Sequence, residues 1–269
     1  MATRDDVLEE LGLAPAWRRR TGVALPDTFA AVVPETVTVA EVVTDARPRA
    51  GANAALPPIS VEARIERIAR LEWRDFAADV DACTACGLAR TRNRSVPGVG
   101  DPRADWLFVG EAPGAEEDAK GEPFVGQAGR LLDSMLAALG IARGNCVYIA
   151  NVLKCRPPGN RAPEPGEAQA CRPYLDRQVA LIEPKVIVAL GKSAATVLLD
   201  VDATIASLRG RVHRYGGVPL VVTYHPAYLL RNLPDKAKAW EDLLLARRTL
   251  RETGAAAEAA ARALAAPPA

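Results

Sequence analysis

Residues 106–114 read Trp-Leu-Phe-Val-Gly-Glu-Ala-Pro-Gly, a short apolar run that passes directly into a tight turn. A continuous apolar run of this length, ended by Gly110, is typical of a strand that is buried on both faces. Three acids follow at residues 116–118. So many carboxylates would repel an anion, and this argues against a loop that binds a nucleoside triphosphate.

Three further apolar runs repeat this pattern, at residues 147–151, 186–190 and 220–223. Segments with helical periodicity precede, separate and follow the runs, and they lie at residues 61–80, 127–139, 166–182, 192–199 and 235–251. Alternating strands and helices predict a parallel sheet covered on both faces. We therefore expect an α/β fold, a three-layer α/β/α sandwich with a central, mostly parallel four-stranded sheet and ligands at the carboxyl ends of its strands.

The same pattern divides the chain into three parts. Residues 61–252 are predicted to form the folded domain. Residues 1–60 are an N-terminal extension, with a short helix over residues 4–20 and an alanine-, valine- and proline-rich linker over residues 31–60. Residues 253–269 form an alanine-rich tail, which we expect to be a fraying helix or an irregular end.

Composition and charge exclude several classes of protein. The chain is 49% hydrophobic and 25% charged, as expected for a soluble globular protein. Its net charge is only +1, so any contact with nucleic acid must come from locally placed arginines rather than from a strongly basic surface. The charged N-terminus lacks the apolar run of a signal peptide, and no stretch approaches the roughly 18 apolar residues of a membrane span. We expect a protein of the reducing cytoplasm.

Five cysteines are present, and four of them suggest a metal site. Cys83 and Cys86 are three positions apart, and Cys155 and Cys171 come from more distant segments, so four thiolates can complete one shell. The spacing matches neither a compact zinc ribbon nor a tandem ferredoxin motif. A pair of disulfides or a chance set of free thiols remains an alternative. Cys146 precedes an apolar strand, and we expect it to be a buried structural thiol.

Polar and aromatic residues after the predicted strands are candidates for a binding site. The Asn151 amide can read a base edge that has both a donor and an acceptor, or it can merely cap a turn. Phe124 lies between two glycine turns, where it can stack on a ligand or fill the core. His213 has the pattern of a surface strand, which leaves His225 as the candidate catalytic imidazole. Residues 228–230 are apolar and suit either a wedge into a base stack or ordinary packing.

Taken in order, these segments resemble the iron–sulfur (family 4) uracil-DNA glycosylases. The resemblance covers roughly residues 75–247 and rests on several motifs: Cys83-x-x-Cys86, Gly110-Glu-Ala-Pro-Gly114, Gly121-Glu-Pro-Phe-Val-Gly-Gln-Ala-Gly129, residues 151–161, Cys171, and His225-Pro-Ala-Tyr-Leu-Leu-Arg231. It implies an α/β/α sandwich, removal of uracil from single- or double-stranded DNA in base excision repair, and one four-iron, four-sulfur cluster held by the four cysteines named above.

The resemblance also implies a role for each motif residue. Phe124 would stack on the flipped uracil, Asn151 would bind its O4 and N3–H edge, and His225 would bind O2 as negative charge builds on the leaving base. Glu117 would lie near C5, and Glu111 would help to position water. Asn160 matches a motif asparagine at the substrate, and the residues expected to contact DNA are Arg161, Tyr228, Leu229, Leu230 and Arg231.

The sequence alone leaves other readings open. The related glycosylases that use an aspartate to activate water have it where this chain has Ala112, so we expect bond breaking to lead and water to add later. A non-catalytic binder of damaged DNA, or a glycosylase trapped on its product, is the alternative function. We expect a monomer. The N-terminal extension either recruits a repair or replication partner or is merely a tail.

Overall fold

The computed structural model describes residues 60–265, with side chains to residue 254, and these residues belong to one compact unit. The predicted helix over residues 4–20 and the linker over residues 31–60 fall outside the described residues, apart from the last of them, Ser60. Ser60 begins the first helix, because its hydroxyl accepts a hydrogen bond from the Ala63 N–H over 3.2 Å.

Six strands form one sheet within this part of the chain, in the order β1-β3-β2-β4-β6-β5. The strands are β1 (Val99–Gly100), β2 (Trp106–Gly110), β3 (Val147–Asn151), β4 (Val186–Leu190), β5 (Val212–Tyr215) and β6 (Val218–Thr223). The central four, β3, β2, β4 and β6, are parallel, as the four apolar runs predict.

The sheet differs from the expected four strands at its two edges, where β1 and β5 pair antiparallel with β3 and β6. β1 has two residues, too few for a hydrophobic pattern to reveal. β5 alternates between exposed and covered positions, and it contains His213, which confirms that this histidine lies on a peripheral strand.

The helices cover both faces of the sheet. They are α1 (Val61–Ala69), α2 (Trp73–Ala82), α3 (Ala115–Lys120), α4 (Gln127–Ala138), α5 (Pro165–Ile182), α6 (Lys192–Leu199), α7 (Ile205–Leu208), α8 (Pro226–Leu229) and α9 (Asp235–Ala265). The single helix expected over residues 61–80 is two, interrupted after Arg70, and α9 continues well beyond residue 251. α3, α7 and α8 are too short for a helical period to predict.

The core lies in two apolar layers, one on each face of the central strands. Leu107 and Val109 belong to one layer, while Trp106 and Phe108 belong to the other. Burial on both faces explains why the strand residues are almost all apolar, since each fully buried large apolar side chain contributes about 1.5–3 kcal/mol. This confirms the three-layer arrangement.

A smaller apolar cluster attaches the first two helices to the domain. Ile68, Phe76 and Val80 pack with Tyr174 of α5. The end of α2 is thereby fixed beside α5, which places Cys83 near Cys171.

Two further expectations have clear outcomes. Cys146 is exposed and has a positive φ of 56°, so the prediction of a buried thiol is wrong. It occupies the turn before β3, where the chain is still at the surface. Among the helices described here, none is long and apolar enough to cross a membrane.

Candidate active site

A cavity of about 540 Å³ opens where β2, β3 and β6 end. Nine of the residues predicted to form the substrate and DNA site line it: Glu111, Glu117, Phe124, Asn151, Asn160, Arg161, His225, Tyr228 and Arg231. They come from segments as far apart in sequence as residues 111 and 231, and the parallel sheet brings them to one edge.

Asn151 is the last residue of β3 and is only 2% exposed. Its backbone is fixed by the sheet, where it lies opposite Gly110, and by the Lys154 ammonium, which donates to its carbonyl over 2.7 Å. Within the described part of the chain, its side-chain Oδ1 has no hydrogen-bond partner. A buried acceptor of this kind costs free energy unless a ligand satisfies it, so Asn151 has the properties of a recognition residue.

Gly110 forms the floor between Asn151 and Phe124. A methyl group at this position would overlap the Asn151 Oδ1 and would lie only 2.6–2.8 Å from atoms of the Phe124 ring. The glycine therefore keeps open the space between the two side chains.

His225 follows β6 and begins the short helix α8. Its Nδ1 accepts a hydrogen bond from the Ala227 N–H over 3.1 Å, so in the neutral ring the proton is on Nε2. Burial, with a smaller contribution from the charge of Arg231, lowers the pKa of His225 to about 4. The imidazole is consequently neutral at physiological pH, with one N–H available as a donor.

The position of His225 depends on a close approach by Gly191. Gly191 has a φ of +92°, and a Cβ there would lie 2.9 Å from the His225 Cβ. The chain at the end of β4 can pass the imidazole only without a side chain.

Phe124 lies beside His225 in the cavity wall, with the two rings stacked at a centroid distance of 5.5 Å. Its backbone has a φ of +55°, a conformation that is rare for an aromatic residue. A methyl group at Gly129 would overlap the Phe124 carbonyl, so the loop folds tightly over the start of α4.

Glu117 lies in the cavity wall, but backbone groups occupy its carboxylate. Oε1 accepts from the N–H of Val125 over 2.9 Å and of Gly126 over 3.2 Å, and Oε2 accepts from the Gly114 N–H over 3.1 Å. These contacts join the first turn of α3 to the loop that carries Phe124. Glu117 therefore has the surroundings of a structural carboxylate, whereas Glu111 lies in the wall at the end of β2.

Two further candidates on the rim are already paired. Asn160 has a positive φ of 56°, and its Oδ1 accepts from the Arg156 Nε over 2.7 Å. Arg161 forms two hydrogen bonds with Glu167, at 2.9 and 2.6 Å, and an ion pair with Glu164 at 3.2 Å. Arg161 would need to share these partners in order to contact a phosphate.

The expected wedge residues separate into different environments. Tyr228 stacks on Tyr224 at 5.1 Å and donates to Asp235 over 2.7 Å. Leu229 is 1% exposed and belongs to the core, so the structure does not bring it to the surface. Leu230 is 39% exposed, and Leu233, which the sequence analysis did not select, is 59% exposed.

The four predicted metal ligands lie apart from this cavity and line a second, smaller one. Among the described residues, no three His, Cys, Asp or Glu side chains are placed to hold a single metal ion. The four thiols nevertheless surround one space from three segments of chain, an arrangement that suits a cluster of several metal atoms better than a single ion.

Donors surround the sulfur atoms, as expected for an anionic centre. The Arg92 Nη1 donates to the Cys155 Sγ over 2.9 Å, the Arg64 Nη2 lies 3.5 Å from the Cys83 Sγ, and the backbone N–H of residue 154 donates to the Cys171 Sγ over 3.3 Å. Burial raises the pKa of Cys171 to about 11, and a bound cation would favour its thiolate form. The donor set fits an iron–sulfur cluster.

Comparison with known proteins identifies the class of protein that this fold and site define. Residues 97–244 match the model of the uracil DNA glycosylase superfamily. A type-4 uracil-DNA glycosylase of Archaeoglobus fulgidus is 49% identical over 164 residues, which cover 58% of this chain and 82% of that protein. The corresponding enzyme of Thermotoga maritima is 44% identical over 179 residues, or 65% of this chain and 93% of the relative.

A relative of another type within the superfamily is less similar to this chain. A type-5 uracil-DNA glycosylase of Thermus thermophilus is 34% identical over 155 residues, covering 49% of this chain and 68% of that protein. The chain belongs to the type-4 uracil-DNA glycosylase family. The family and the fold expected from the sequence motifs are thereby confirmed.

Several residues that shape the site were not found by sequence reasoning. Gly191 and Arg143 belong to none of the motifs on which the sequence analysis depends. Arg143 donates to the carbonyls of Pro123 and Phe124, over 2.8 and 2.9 Å. Its contacts join distant segments, and no local sequence pattern reports such a contact.

Proposed function

We propose that Phe124, Asn151 and His225 carry the reaction of this uracil-DNA glycosylase, which breaks the N-glycosidic bond of deoxyuridine after the nucleotide is flipped out of DNA. The observation that carries the assignment is the cavity itself. It presents an aromatic face, a buried unpaired amide oxygen and a neutral imidazole with one available N–H. These groups match the face and the two polar edges of uracil.

Asn151 selects the base. Its Oδ1 accepts the uracil N3–H, and its Nδ2 donates to O4. Cytosine presents an acceptor at N3 and a donor at position 4, so the same amide would meet both groups with the wrong polarity. Because the amide is buried, a mismatch leaves polar groups unpaired and is strongly disfavoured.

His225 stabilises the leaving base. Negative charge collects on O2 as the glycosidic bond lengthens, and the Nε2–H of the neutral imidazole donates to that oxygen. The hydrogen bond from Ala227 keeps the proton on Nε2 before the substrate arrives. A donor held in place in this way needs no reorganisation during the reaction, and removal of a comparable donor costs about 10²–10³ in rate.

The two candidate carboxylates divide their roles. Both oxygens of Glu117 accept backbone N–H bonds, so we assign it to holding the loop around Phe124. Glu111 is then the carboxylate that positions water for addition to the sugar after the bond breaks. Ala112 supplies no second base. The product is a free uracil and an abasic site, the start of base excision repair.

Cys83, Cys86, Cys155 and Cys171 would hold one four-iron, four-sulfur cluster. With four thiolates as ligands, such a cluster would serve as a structural link between the segment after α2, the segment after β3 and helix α5. Cys155 lies four residues beyond Asn151, so the link would stabilise the strand end that reads the base.

The remaining features of the protein follow from this assignment. Tyr228, Leu230 and Arg231 would contact uracil-containing DNA, single- or double-stranded, beside the flipped nucleotide, together with Arg161. We propose that residues 61–252 act as a monomeric domain in a bacterial cytoplasm, at the nucleoid. Residues 1–60 would provide the site for a repair or replication partner.

A glycosylase assay tests the proposal. The purified brown protein should convert a uracil-containing oligonucleotide into an alkali-labile product, and an oligonucleotide with cytosine at that position should stay intact. His225→Ala and Asn151→Ala should each lose most of the activity and keep the visible absorption of the cluster. Tight binding without base release would instead favour the non-catalytic alternative, and a covalent band on a denaturing gel would favour product trapping.

A further inference from the structure

The loop that carries Phe124 is held in an unfavourable conformation. A φ of +55° places Phe124 in the left-handed region, which aromatic residues seldom adopt because the Cβ crowds the backbone. Such a conformation persists only when surrounding groups over-determine it, and it is found preferentially at functional sites. Two side chains from outside the loop, Glu117 and Arg143, hold this conformation.

One side of the loop is held by an acid. Glu117 accepts the N–H groups of Val125 and Gly126, the two residues that follow Phe124. These bonds fix the peptide groups that follow the Phe124 side chain, but they do not reach the Pro123 carbonyl that precedes it.

The other side is held by an arginine from a distant segment. Arg143 lies between α4 and β3, and its two terminal nitrogens donate to the carbonyls of Pro123 and Phe124, over 2.8 and 2.9 Å. Asp133 of α4 holds the same guanidinium at 3.1–3.2 Å. A planar guanidinium with fixed donors suits two adjacent carbonyls, and a lysine ammonium does not reproduce that geometry.

We propose that Arg143 is a positioning residue for catalysis, which sets the Phe124 ring at the angle and depth required to stack on the flipped base. Arg143 is not among the residues that line the cavity, so it acts through Phe124. This inference rests on the function proposed above and assigns a role to a residue outside every motif of the site.

The expected effect follows from the value of the stacking contact. Arg143→Met removes both carbonyl bonds and keeps much of the side-chain volume. The loss in kcat/KM on uracil-containing DNA should be about 5- to 150-fold, the range that one base–aromatic stack is worth. Arg143→Lys should fall between Arg143→Met and the unaltered protein. Affinity for DNA that carries an abasic site should not change, because no base then meets Phe124.

A double-mutant cycle between Arg143→Met and Phe124→Ala tests whether the arginine acts through the ring. The cycle compares single-turnover rates of the full chain, with its cluster loaded, on a uracil-containing oligonucleotide. In the Phe124→Ala background, Arg143→Met should cause little further loss. If the rate loss of the double variant equals the product of the two single-variant losses, the proposal is overturned. An Arg143→Met variant with normal activity would also overturn it.

Controls separate positioning from general instability and from the proposed function. Arg103→Met changes an exposed arginine in the turn before β2 and should have no effect on the rate. Asp133→Asn retains the carbonyl bonds and should cost less than Arg143→Met. If Arg143→Met does not fold, the cycle is repeated with Arg143→Lys. A double variant whose rate loss equals the product of the two single losses again overturns the proposal. An unaltered protein that leaves uracil in DNA would contradict the proposed function. Independent effects of the two substitutions in an active protein would contradict only the role of Arg143.

Discussion

Asn151 and Phe124 face the same cavity, but the fold holds them in opposite ways. Asn151 ends a central strand, and its backbone is fixed by the sheet and by a buried lysine. Phe124 lies in a loop with a positive φ, and Glu117 and Arg143 hold that loop from two sides. The strand side of the site is therefore held by backbone pairing, whereas the loop side depends on polar side chains from other segments.

The largest expected effect comes from filling the floor between the two residues. Gly110→Ala adds a methyl group that overlaps the Asn151 Oδ1 and meets the Phe124 ring. We expect kcat/KM on uracil-containing DNA to fall by about 10²-fold or more, as for a misplacement of roughly 1 Å in other active sites.

The matched control for this substitution is Gly166→Ala in the first turn of α5. No atom lies within 4 Å of the added methyl group, and its φ is not positive. Comparable losses in the two variants would show that the volume at residue 110 does not matter. Single-turnover rates and melting temperatures measure both.

A smaller loss should follow from moving the imidazole. Gly191→Ala places a Cβ 2.9 Å from the His225 Cβ and strains a backbone with a φ of +92°. We expect kcat to fall about tenfold. Gly210→Ala has a similar positive φ of +76° but nothing within 4 Å, so it reproduces the strain without the contact. Equal rates for the two variants would assign the effect to strain alone.

The pH dependence should separate His225 from an ordinary histidine. Burial lowers the pKa of His225 from 6.5 to about 4, so the rate should be level through pH 6.5 and decline only as the pH approaches 4. The folded pKa lies below the unfolded one, so the stability contributed by the neutral ring is present above pH 6.5 and is lost as the pH falls toward 4.

Two measurements test this pH dependence. A profile of kcat with an inflection near pH 6.5 would contradict the assignment. His225→Gln should lose less stability than the unaltered protein between pH 7 and pH 4, because it has no imidazole to protonate.

The smallest expected effect concerns the surface beside the cavity. Leu230→Ala should leave the free energy of unfolding within about 0.5 kcal/mol, because the side chain is exposed. It should slow cleavage of duplex DNA a few-fold if, as proposed, Leu230 enters the gap left by the flipped nucleotide. Leu229→Ala should instead destabilise the fold by about 2–5 kcal/mol. Denaturant unfolding and duplex assays on both variants distinguish the two leucines, and a reversed pattern would exchange their roles.

The sequence was sufficient for the features that depend on local pattern. Continuous apolar runs predicted the four central strands, and motif order predicted which side chains follow them. Edge strand β1 was missed because two residues carry no periodicity, and Cys146 was misjudged because proximity to a strand does not ensure burial. Arg143 and the occupied carboxylate of Glu117 were missed for a different reason. Their partners in the Phe124 loop are backbone groups, which look the same at every position of a sequence.

The edges of the sheet have a consequence for the protein in solution. The four parallel strands would be an open template for further strands if β3 and β6 were exposed along their lengths. β1 covers part of one edge with only two residues, and β5 closes the other as an antiparallel hairpin through Gly216 and Gly217. Short or twisted edges discourage a second chain from adding to the sheet. The two edge strands have only two and four residues, so each offers a second chain few unpaired backbone groups.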